Sequence, residues 1–356
     1  LERELVDGKC PDHLTPPTYV KEGNYFFRMS RYQNWLIDHI HKHPDFIRPE
    51  RYRNEVLSFL KDPLEDLCIS RPKARVPWGI ELPFDDNYVT YVWFDALVNY
   101  LTGLGYPESP AYAKFWPVCQ HLIAKDILKP HGIYWPTILR AAGLEPYQHL
   151  NVHGYWQIGQ SKMSKSLGNV VEPQRLVSQY GIGQGRYFFL REMVLGLDAA
   201  FNEEALIGRI NSDLANDLGN LFSRGLAMVF KYRQGIAPAT GQLGEQELAL
   251  RDLAQAVQDD FIHLLPALEF HKALMRVWEF IGEINRYIVV TEPWTLFKKQ
   301  EQERLDTVLA TILEALRWVA VLLLPVMPSS AHKMLVQLGL GPDTWKTQTL
   351  PALQWG

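Results

Sequence analysis

Few cysteines and no excess of positive charge characterise this sequence. Cys10, Cys68 and Cys119 are too few and too scattered for a disulfide framework, which indicates a reducing compartment. Lysine and arginine total 36 against 40 aspartates and glutamates, which gives a net charge of −4. Such a chain is not a nucleic-acid binder by composition, so any contact with RNA must be local.

The sequence also lacks a candidate membrane span and a secretory signal. The longest apolar run, residues 318–327, is interrupted by Pro325 and reaches about half of the ~20 residues that a bilayer crossing needs. Residues 1–13 contain no apolar core of a signal peptide. We therefore expect a cytoplasmic protein without a membrane partner. Its 356 residues exceed the ~100–200 of a typical domain, which favours two domains.

Apolar and β-branched residues predict strands in the middle of the chain. These segments are 88–94, 121–124 and 149–158, and helical patterns separate them. Strands that alternate with helices are typical of a parallel α/β sheet. Residues 1–60 combine polar loops with an amphipathic stretch near 32–41, which indicates a small subdomain or an insertion.

Beyond about residue 197 the strand signals stop and helical periodicity takes over. Apolar residues recur three or four positions apart within 206–221, 270–288 and 305–323. Pro266 is expected near the first turn of the middle helix. The second half of the chain is thus predicted to be an all-α helical bundle.

The segment SKMSKSLGN at residues 161–169 has the most specific chemistry. Lys162 and Lys165 stand in a loop with serines and a glycine, and lysine brings a compact positive charge to phosphate oxygens. For any loop with two lysines, a solvated basic turn is the alternative. The complete pentad KMSKS favours phosphate binding.

KMSKS is the second signature of the class I aminoacyl-tRNA synthetases, and the whole chain resembles the methionyl-tRNA synthetases. Seven further segments, in the order of that family, make chance similarity implausible. They are YFFRMSRYQNWL at 25–36, ISRPKARVPWGI at 69–80, YVWFDALVNY at 91–100, LIAKDILKPHGIYWP at 122–136, NVHGY at 151–155, DLANDLGNLFSR at 213–224 and NRYIVVTEPWTLFKK at 285–299.

The resemblance implies an α/β protein: the C-terminal part of a Rossmann-type parallel-sheet catalytic domain, followed by an all-α helical-bundle anticodon-binding domain. The expected divisions are the remainder of a connective, zinc-knuckle insertion at 1–60, the second half of the catalytic domain at 61–196, and the anticodon-binding domain at 197–356. The implied reaction joins methionine to tRNA(Met) through methionyl-adenylate. ATP with Mg²⁺ is the expected co-substrate, and a monomer is expected.

For ATP, the resemblance implies that Lys165 contacts the phosphates, with Lys162 assisting and Ser164 in the same loop. Lysines there stabilise the charge that builds on departing pyrophosphate, so positioning and electrostatics suffice without a covalent enzyme intermediate. Asp126 matches the family's ribose-binding aspartate. Capping of a helix that begins at Ile127 is the alternative reading of Asp126, and it is compatible with ribose binding.

Two further positions bear on nucleotide binding. Ala124 stands where the family usually has glycine, and its methyl group is expected to crowd the ribose. Arg71 matches an arginine that approaches the ATP and the amino acid. Its planar guanidinium can donate two hydrogen bonds to a phosphate or a carboxylate. A surface arginine is the commoner alternative for Arg71.

The methionine pocket implied by the resemblance comprises Trp93, Ala96, Tyr100, His131 and Trp135. A thioether packs favourably against aromatic edges, and His131 or Tyr100 can offer a weak donor to sulfur. Aromatic residues at such spacing are more often core, which is the alternative. Asp95 is a candidate for the substrate amino group or for a helix cap.

For the anticodon, the resemblance implies Asn220 and Arg224 on one helix face, with Trp294 as a stacking surface. Single-stranded RNA loops are recognised through bases stacked on aromatics and hydrogen-bonded at their edges. A merely solvated helix face is the alternative. Phosphate contacts are expected from basic residues nearby, namely Lys298, Lys299, Lys231 and Arg233.

Cys10 and His13 have the spacing of half a zinc site, and the resemblance places the end of a zinc knuckle here. Structural zinc needs four ligands, and no second pair lies nearby in the sequence. The family's HIGH motif is also missing, so we expect a fragment that lacks the N-terminal segment and is impaired on its own.

Two rival functions are considered. The first is a class I synthetase for leucine, valine, isoleucine or cysteine. The second is a synthetase-like RNA-binding protein without catalysis, which Ala124 and the sequence GIGQGRY at 181–187 would suit, since the family commonly has Asp-Ala-x-Arg-Tyr there. The intact KMSKS pentad argues against the second.

Overall fold

The chain divides into two compact units, Leu1–Val152 and His153–Gly356. The computed structural model describes residues 8–9, 15–18, 21–158, 161–162, 170–341 and 355, and at 161–162 it describes the backbone alone. Among the helices of this described part, none is long and apolar enough to cross a membrane. The expected domain boundaries after residues 60 and 196 stay predictions.

The strands of the N-terminal unit are short. They are β1 Phe26–Phe27, β2 Ile47–Arg48, β3 Leu67–Cys68, β4 Ser70–Pro72, β5 Glu81–Leu82, β6 Asp85–Thr90, β7 Gln120–Ala124 and β8 His149–His153. One sheet has the order β2-β8-β7, and within it β2 and β8 are parallel. A second sheet, β4-β6-β5, is antiparallel, and β1 pairs antiparallel with β3.

Helices surround these strands in the N-terminal unit. They are α1 Gln33–Lys42, α2 Glu50–Phe59, α3 Val92–Thr102, α4 Pro110–Phe115 and α5 Trp135–Ala141. One core joins the helices to the β2-β8-β7 sheet: Leu36, Val56, Leu97, Ile123 and Leu150 are all buried in it. This combination of helices with a partly parallel sheet confirms the predicted α/β class.

The predicted strand over 88–94 is correct for β6 but wrong beyond it. β6 ends at Thr90, and α3 begins at Val92. Leu97 and Leu101, four residues apart, are the buried residues of α3, so a helical period governs burial from this point. The aromatic residues at 91–94 are compatible with the period of a strand and with that of a helix, and tertiary packing selects the helix.

The predicted strand over 149–158 is interrupted at Gly154. A Cβ atom at this glycine would lie 2.1 Å from the carbonyl oxygen of Leu197, so the close approach of two backbones requires glycine. The chain then continues as β9 Trp156–Ile158 and β10 Ser161–Lys162. The expectation that strands stop near residue 197 is wrong for β11, Ala199–Ala200, which pairs in parallel with β9.

Most of the remaining described residues of the C-terminal unit are helical, as predicted. The helices are α6 Pro173–Tyr180, α7 Ile182–Glu192, α8 Glu203–Arg209, α9 Asn220–Arg233, α10 Glu245–Leu264, α11 Phe270–Thr291, α12 Pro293–Lys299, α13 Gln302–Leu323 and α14 Pro328–Gln337. Pro266 does not lie in the first turn of α11, because that helix begins at Phe270. Pro293 does occupy the first position of α12, where proline costs no hydrogen bond.

A π-helical segment precedes one helix in each unit. The π-helical segments Pro130–Tyr134 and Ile210–Gly219 run directly into α5 and α9. Such turns are rare and are frequently found at functional sites. The first contains the predicted pocket residue His131, and the second ends directly before the predicted anticodon residue Asn220.

A buried carboxylate joins three helices of the C-terminal unit. Glu247 of α10 is fully buried, and both of its oxygens accept hydrogen bonds from Arg304 of α13 at 2.8 Å. Tyr287 of α11 donates to it at 2.5 Å, and the backbone amide of Gly244 donates at 2.8 Å. Burial alone raises the pKa of Glu247, but these donors outweigh burial and hold its pKa below the usual value.

Replacement of Arg304 by leucine is therefore expected to destabilise the chain by about 3 kcal/mol, because it leaves a buried charge without its main partner. The pKa of Glu247 is lower in the folded state than in the unfolded state. The stabilisation of the fold by ionised Glu247 is therefore complete at neutral pH, and it is lost as pH falls through the folded pKa. Urea unfolding followed by circular dichroism measures the change. Glu245→Gln, at an exposed residue in the same helical turn, is the control, and equal losses in both variants would contradict the assignment.

Candidate functional site

Aromatic residues from two helices meet in the N-terminal unit. Trp93, Ala96 and Tyr100 lie three and four residues apart on α3, so they share one face of that helix. His131 lies in the π-helical segment before α5, and its ring is 5.8 Å from that of Tyr100 and 6.4 Å from that of Trp93. Trp135 begins α5, with its ring 6.2 Å from Tyr100. The structure thus brings four of the five predicted pocket residues into ring contact.

The proton arrangement between Tyr100 and His131 follows from their hydrogen bonds. His131 Nδ1 lies 2.9 Å from the carbonyl oxygen of Ile127, which can only accept, so Nδ1 carries the proton. Burial lowers the pKa of His131, and the bond to Ile127 only partly opposes this effect. The ring is therefore neutral at pH 7. Its Nε2 then accepts from the hydroxyl of Tyr100 at 2.9 Å.

Both predicted sulfur donors are consequently engaged within the protein. The His131 proton points to Ile127, and the Tyr100 proton points to His131. A thioether entering here would meet aromatic edges first, contacts worth about 0.3–1.5 kcal/mol each. It would receive a hydrogen bond only if the Tyr100 hydroxyl turned away from His131.

Sequence reasoning missed His121, which lies behind this cluster. Its Nε2 accepts a hydrogen bond of 3.1 Å from the indole of Trp135, and both side chains are buried. Burial, with a smaller contribution from His131, lowers the pKa of His121 to about 3. The alternating burial of β7, in which His121 and Ile123 face inward, is the signal that could have found it.

Asp126 and Ala124 stand at the carboxyl end of β7. Ala124 is the last residue of the strand, and its φ of −80° is one that any residue adopts, so the backbone does not require the family's glycine. Asp126 is exposed within the 3-10 turn Lys125–Ile127. The capping reading is wrong for Asp126, because Ala124 holds the cap position. The capping reading is wrong for Asp95 as well. Tyr91 holds the cap position of α3, and Asp95 lies inside the first turn of that helix.

Arg71 is held by contacts within the N-terminal unit. Its guanidinium carbon lies 4.1 Å from the centroid of the Tyr91 ring, within cation–π range. The same guanidinium donates to Cys68 Sγ at 3.0 Å and to the carbonyl of Ser70 at 2.8 Å. Arg71 is thus a half-buried, oriented arginine, and the reading of a freely solvated side chain does not hold.

Several predicted residues lie outside the described part of the chain. They are Cys10, His13, Ser164 and Lys165, while Lys162 is described through its backbone as the last residue of β10. Their predicted roles are unchanged. Among the residues that are described, no three histidine, cysteine, aspartate or glutamate side chains cluster as metal ligands.

In the C-terminal unit, Asn220 and Arg224 lie exposed on the first turns of α9. Leu221 and Phe222 are buried on the other side, and Gly225 allows close packing, because a Cβ there would lie 2.9 Å from Leu316. Arg224 donates to the side-chain oxygen of Asn285 at 3.1 Å. That bond orients a guanidinium that remains accessible.

Trp294 lies at the start of α12 and is 39% exposed, enough to present an indole face to a ligand. Lys298 and Lys299 are exposed in the last turn of the same helix. Arg233 pairs with Asp306 and donates to the carbonyl of Tyr232 at 2.7 Å, so its charge already has a partner within the fold. The expected contact between Arg233 and an RNA phosphate stays a prediction.

Comparison with protein-family models gives two matches that together cover most of the chain. Residues 1–226 match the model described as tRNA synthetases class I (M). Residues 237–355 match the model described as the anticodon binding domain of methionyl tRNA ligase.

Individual proteins agree with these models. The methionine–tRNA ligase of Deinococcus radiodurans is 47% identical over all of this chain and 52% of its own length. That of Caldanaerobacter subterraneus subsp. tengcongensis is 44% identical over all of this chain and 56% of its own length. The chain therefore spans about half the length of these relatives.

A solved structure of Mycobacterium tuberculosis methionyl-tRNA synthetase bound by methionyl-adenylate matches with a TM-score of 0.90 and 41% identity, over 99% of this chain and 70% of that one.

The buried histidine predicts a pH dependence. Unfolding exposes His121 to water, where its pKa rises from about 3 to the ordinary ~6.5. Its neutral form thus stabilises the fold fully above about pH 6.5, and this stability is lost as pH falls toward 3. Nuclear magnetic resonance should show an imidazole signal that does not titrate between pH 8 and 4. Unfolding by urea over the same range should show a shallower pH slope for His121→Gln, and an unchanged slope would contradict this account.

Proposed function

This chain belongs to the class I methionyl-tRNA synthetase family, and from that premise we propose that the protein activates methionine with ATP and transfers it to tRNA(Met). The proposal extends a family membership to an activity, because the chain spans about half of its first relatives. In the reaction, the methionine carboxylate attacks the α-phosphate of ATP and pyrophosphate leaves. A hydroxyl of the terminal adenosine of the tRNA then attacks the carbonyl carbon of the adenylate, and AMP leaves.

The packed pair of Tyr100 and His131 is the observation that carries this proposal. These two side chains and Trp93 belong to the methionine pocket that the family resemblance implies, and His131 contacts both Tyr100 and Trp93 in the structure. A neutral imidazole and aromatic edges suit an uncharged, polarizable thioether. A carboxylate or an ammonium in the substrate side chain would find no opposite charge among these three residues.

The nucleotide is proposed to bind near the end of β7. Asp126 would accept the ribose hydroxyls there, since ligands of open α/β sheets bind beyond the carboxyl ends of the strands. Arg71, oriented by Tyr91 and Cys68, is proposed to approach the ATP and the amino acid. Lys165 and Lys162 are proposed to contact the phosphates of ATP, which would arrive with Mg²⁺. Positive charge at that point stabilises the leaving pyrophosphate.

On the RNA side, the proposal assigns anticodon reading to Asn220, Arg224 and Trp294. An amide and a guanidinium can hydrogen-bond base edges, and an exposed indole can stack on a base for about 1–3 kcal/mol. The exposed Lys298 and Lys299 would contact phosphates, so a chain of net charge −4 can still hold RNA locally. The proposal includes no membrane partner, and the protein would work as a monomer where tRNA and ATP are present.

Of the rival functions, a synthetase for another aliphatic amino acid is not favoured. The relatives described above are methionine–tRNA ligases, and one family model names the methionyl anticodon domain. For zinc, the candidate ligands Cys10 and His13 lie outside the described residues, and no step is assigned to a metal.

Methionine-dependent ATP–pyrophosphate exchange tests the proposed activity. The full-length protein is expected to exchange with methionine and not with leucine. Lys165→Ala is expected to slow exchange about 100-fold, as typical for loss of one transition-state contact, while tRNA binding changes little. Lys61→Ala, at an exposed lysine, is the control and should match the unsubstituted protein. Exchange with leucine alone would refute the proposed substrate, and full activity of Lys165→Ala would remove that lysine from catalysis.

Trp294→Ala separates RNA recognition from catalysis. It removes one stacking surface, so the rate of tRNA charging at limiting tRNA should fall about tenfold while ATP–pyrophosphate exchange is unchanged. Phe230→Ala, at a more exposed aromatic residue of α9, should leave both rates intact. Equal losses of charging and exchange in Trp294→Ala would show that the indole supports folding and does not read RNA.

A further inference from the structure

We propose that His121 is a positioning residue for the methionine pocket, and that it fixes Tyr100 and Trp135 from the interior side of the cluster. The inference rests on the proposed function, since it concerns how that pocket keeps its shape. His121 itself lies on β7 and is 3% exposed, so it supports residues that line the pocket without offering a surface to solvent.

His121 contacts several members of the cluster at once. Its ring centroid is 4.1 Å from that of Tyr100, with an angle of 34° between the planes, and 4.3 Å from that of Tyr147. Its Nε2 accepts the indole proton of Trp135 at 3.1 Å. The ring of His131 is 6.2 Å away. Three predicted pocket residues therefore pack on this single imidazole.

The chemistry of the imidazole suits this position better than that of other side chains. Trp135 is fully buried, and its indole N–H is a donor that needs an acceptor inside the protein. His121 supplies the acceptor in the plane of its ring and supplies a flat face for Tyr100. Phenylalanine would keep the flat face without the acceptor. Glutamine would keep an acceptor without the face.

Tyr147, which packs against His121, supports a further member of the cluster. This tyrosine is buried and donates a hydrogen bond of 2.7 Å to the backbone carbonyl of His131. Tyr147 thus ties His131 to the layer that holds His121. His121 packs on the Tyr100 ring, and Tyr147 bonds to the backbone of His131, so the two together hold both partners of the Tyr100–His131 hydrogen bond.

A shift of Tyr100 or Trp135 would alter contacts with the amino-acid side chain before it altered contacts with ATP. Loss of His121 should therefore raise the KM for methionine and reduce the preference for methionine over leucine. The KM for ATP should not change, because Asp126 and the lysines act on the other substrate. A general loss of folded protein would instead lower kcat and leave both KM values intact.

Steady-state ATP–pyrophosphate exchange on the full-length protein tests the inference with two variants. His121→Phe leaves the Trp135 donor without an acceptor and is expected to raise the KM for methionine about tenfold. His121→Gln restores an acceptor, so it should recover part of that loss. His149→Gln is the matched control, because His149 is a buried histidine of the same sheet, bonded to Asp45 and Arg48 instead of the cluster.

Two outcomes would overturn the inference. One is a KM for methionine in His121→Phe that equals that of the unsubstituted protein. The other is an equal rise in His149→Gln, which would indicate general destabilisation of the sheet. An unsubstituted protein without methionine-dependent exchange would instead contradict the proposed function itself, and the inference with it.

Discussion

The hydrogen bond from Tyr100 to His131 organises the N-terminal unit around its candidate pocket. It forms because a buried imidazole stays neutral, and because the carbonyl of Ile127 takes the only ring proton. A buried polar group without a partner would cost about 1–3 kcal/mol. Each side chain therefore donates a hydrogen bond where its neighbour can accept one, and accepts where its neighbour donates. The buried indole of Trp135 meets the same requirement by donating to His121 Nε2.

A similar requirement shapes the C-terminal unit, where the buried group is charged. Glu247 binds α10 to α11 through Tyr287 and to α13 through Arg304. Asn285 lies two residues before Tyr287 on α11, and it holds the guanidinium of Arg224. The network that neutralises one buried carboxylate thus also fixes the helix against which a candidate anticodon-reading arginine is oriented.

The two halves of the proposed activity make different electrostatic demands on one acidic chain. An uncharged methionine side chain calls for a neutral, aromatic pocket, and the lowered pKa of His131 and of His121 keeps it neutral. RNA calls for positive charge, which exposed Lys298 and Lys299 provide locally at the end of α12. Arg233 differs from these lysines, since Asp306 already pairs with it in the fold.

The sequence by itself determined the α/β class of the first half, the helical second half and the family, because the hydrophobic period and segments such as KMSKS and NVHGY are local signals. It also named Tyr100 and His131. Tertiary structure decided where β6 gives way to α3, since the residues at 91–94 suit either period until packing selects one. It alone revealed His121 as the support of Trp135, and Asp306 as the partner of Arg233. Partners that are 14 and 73 residues apart meet only through the fold, and no local pattern records which buried donor faces which acceptor.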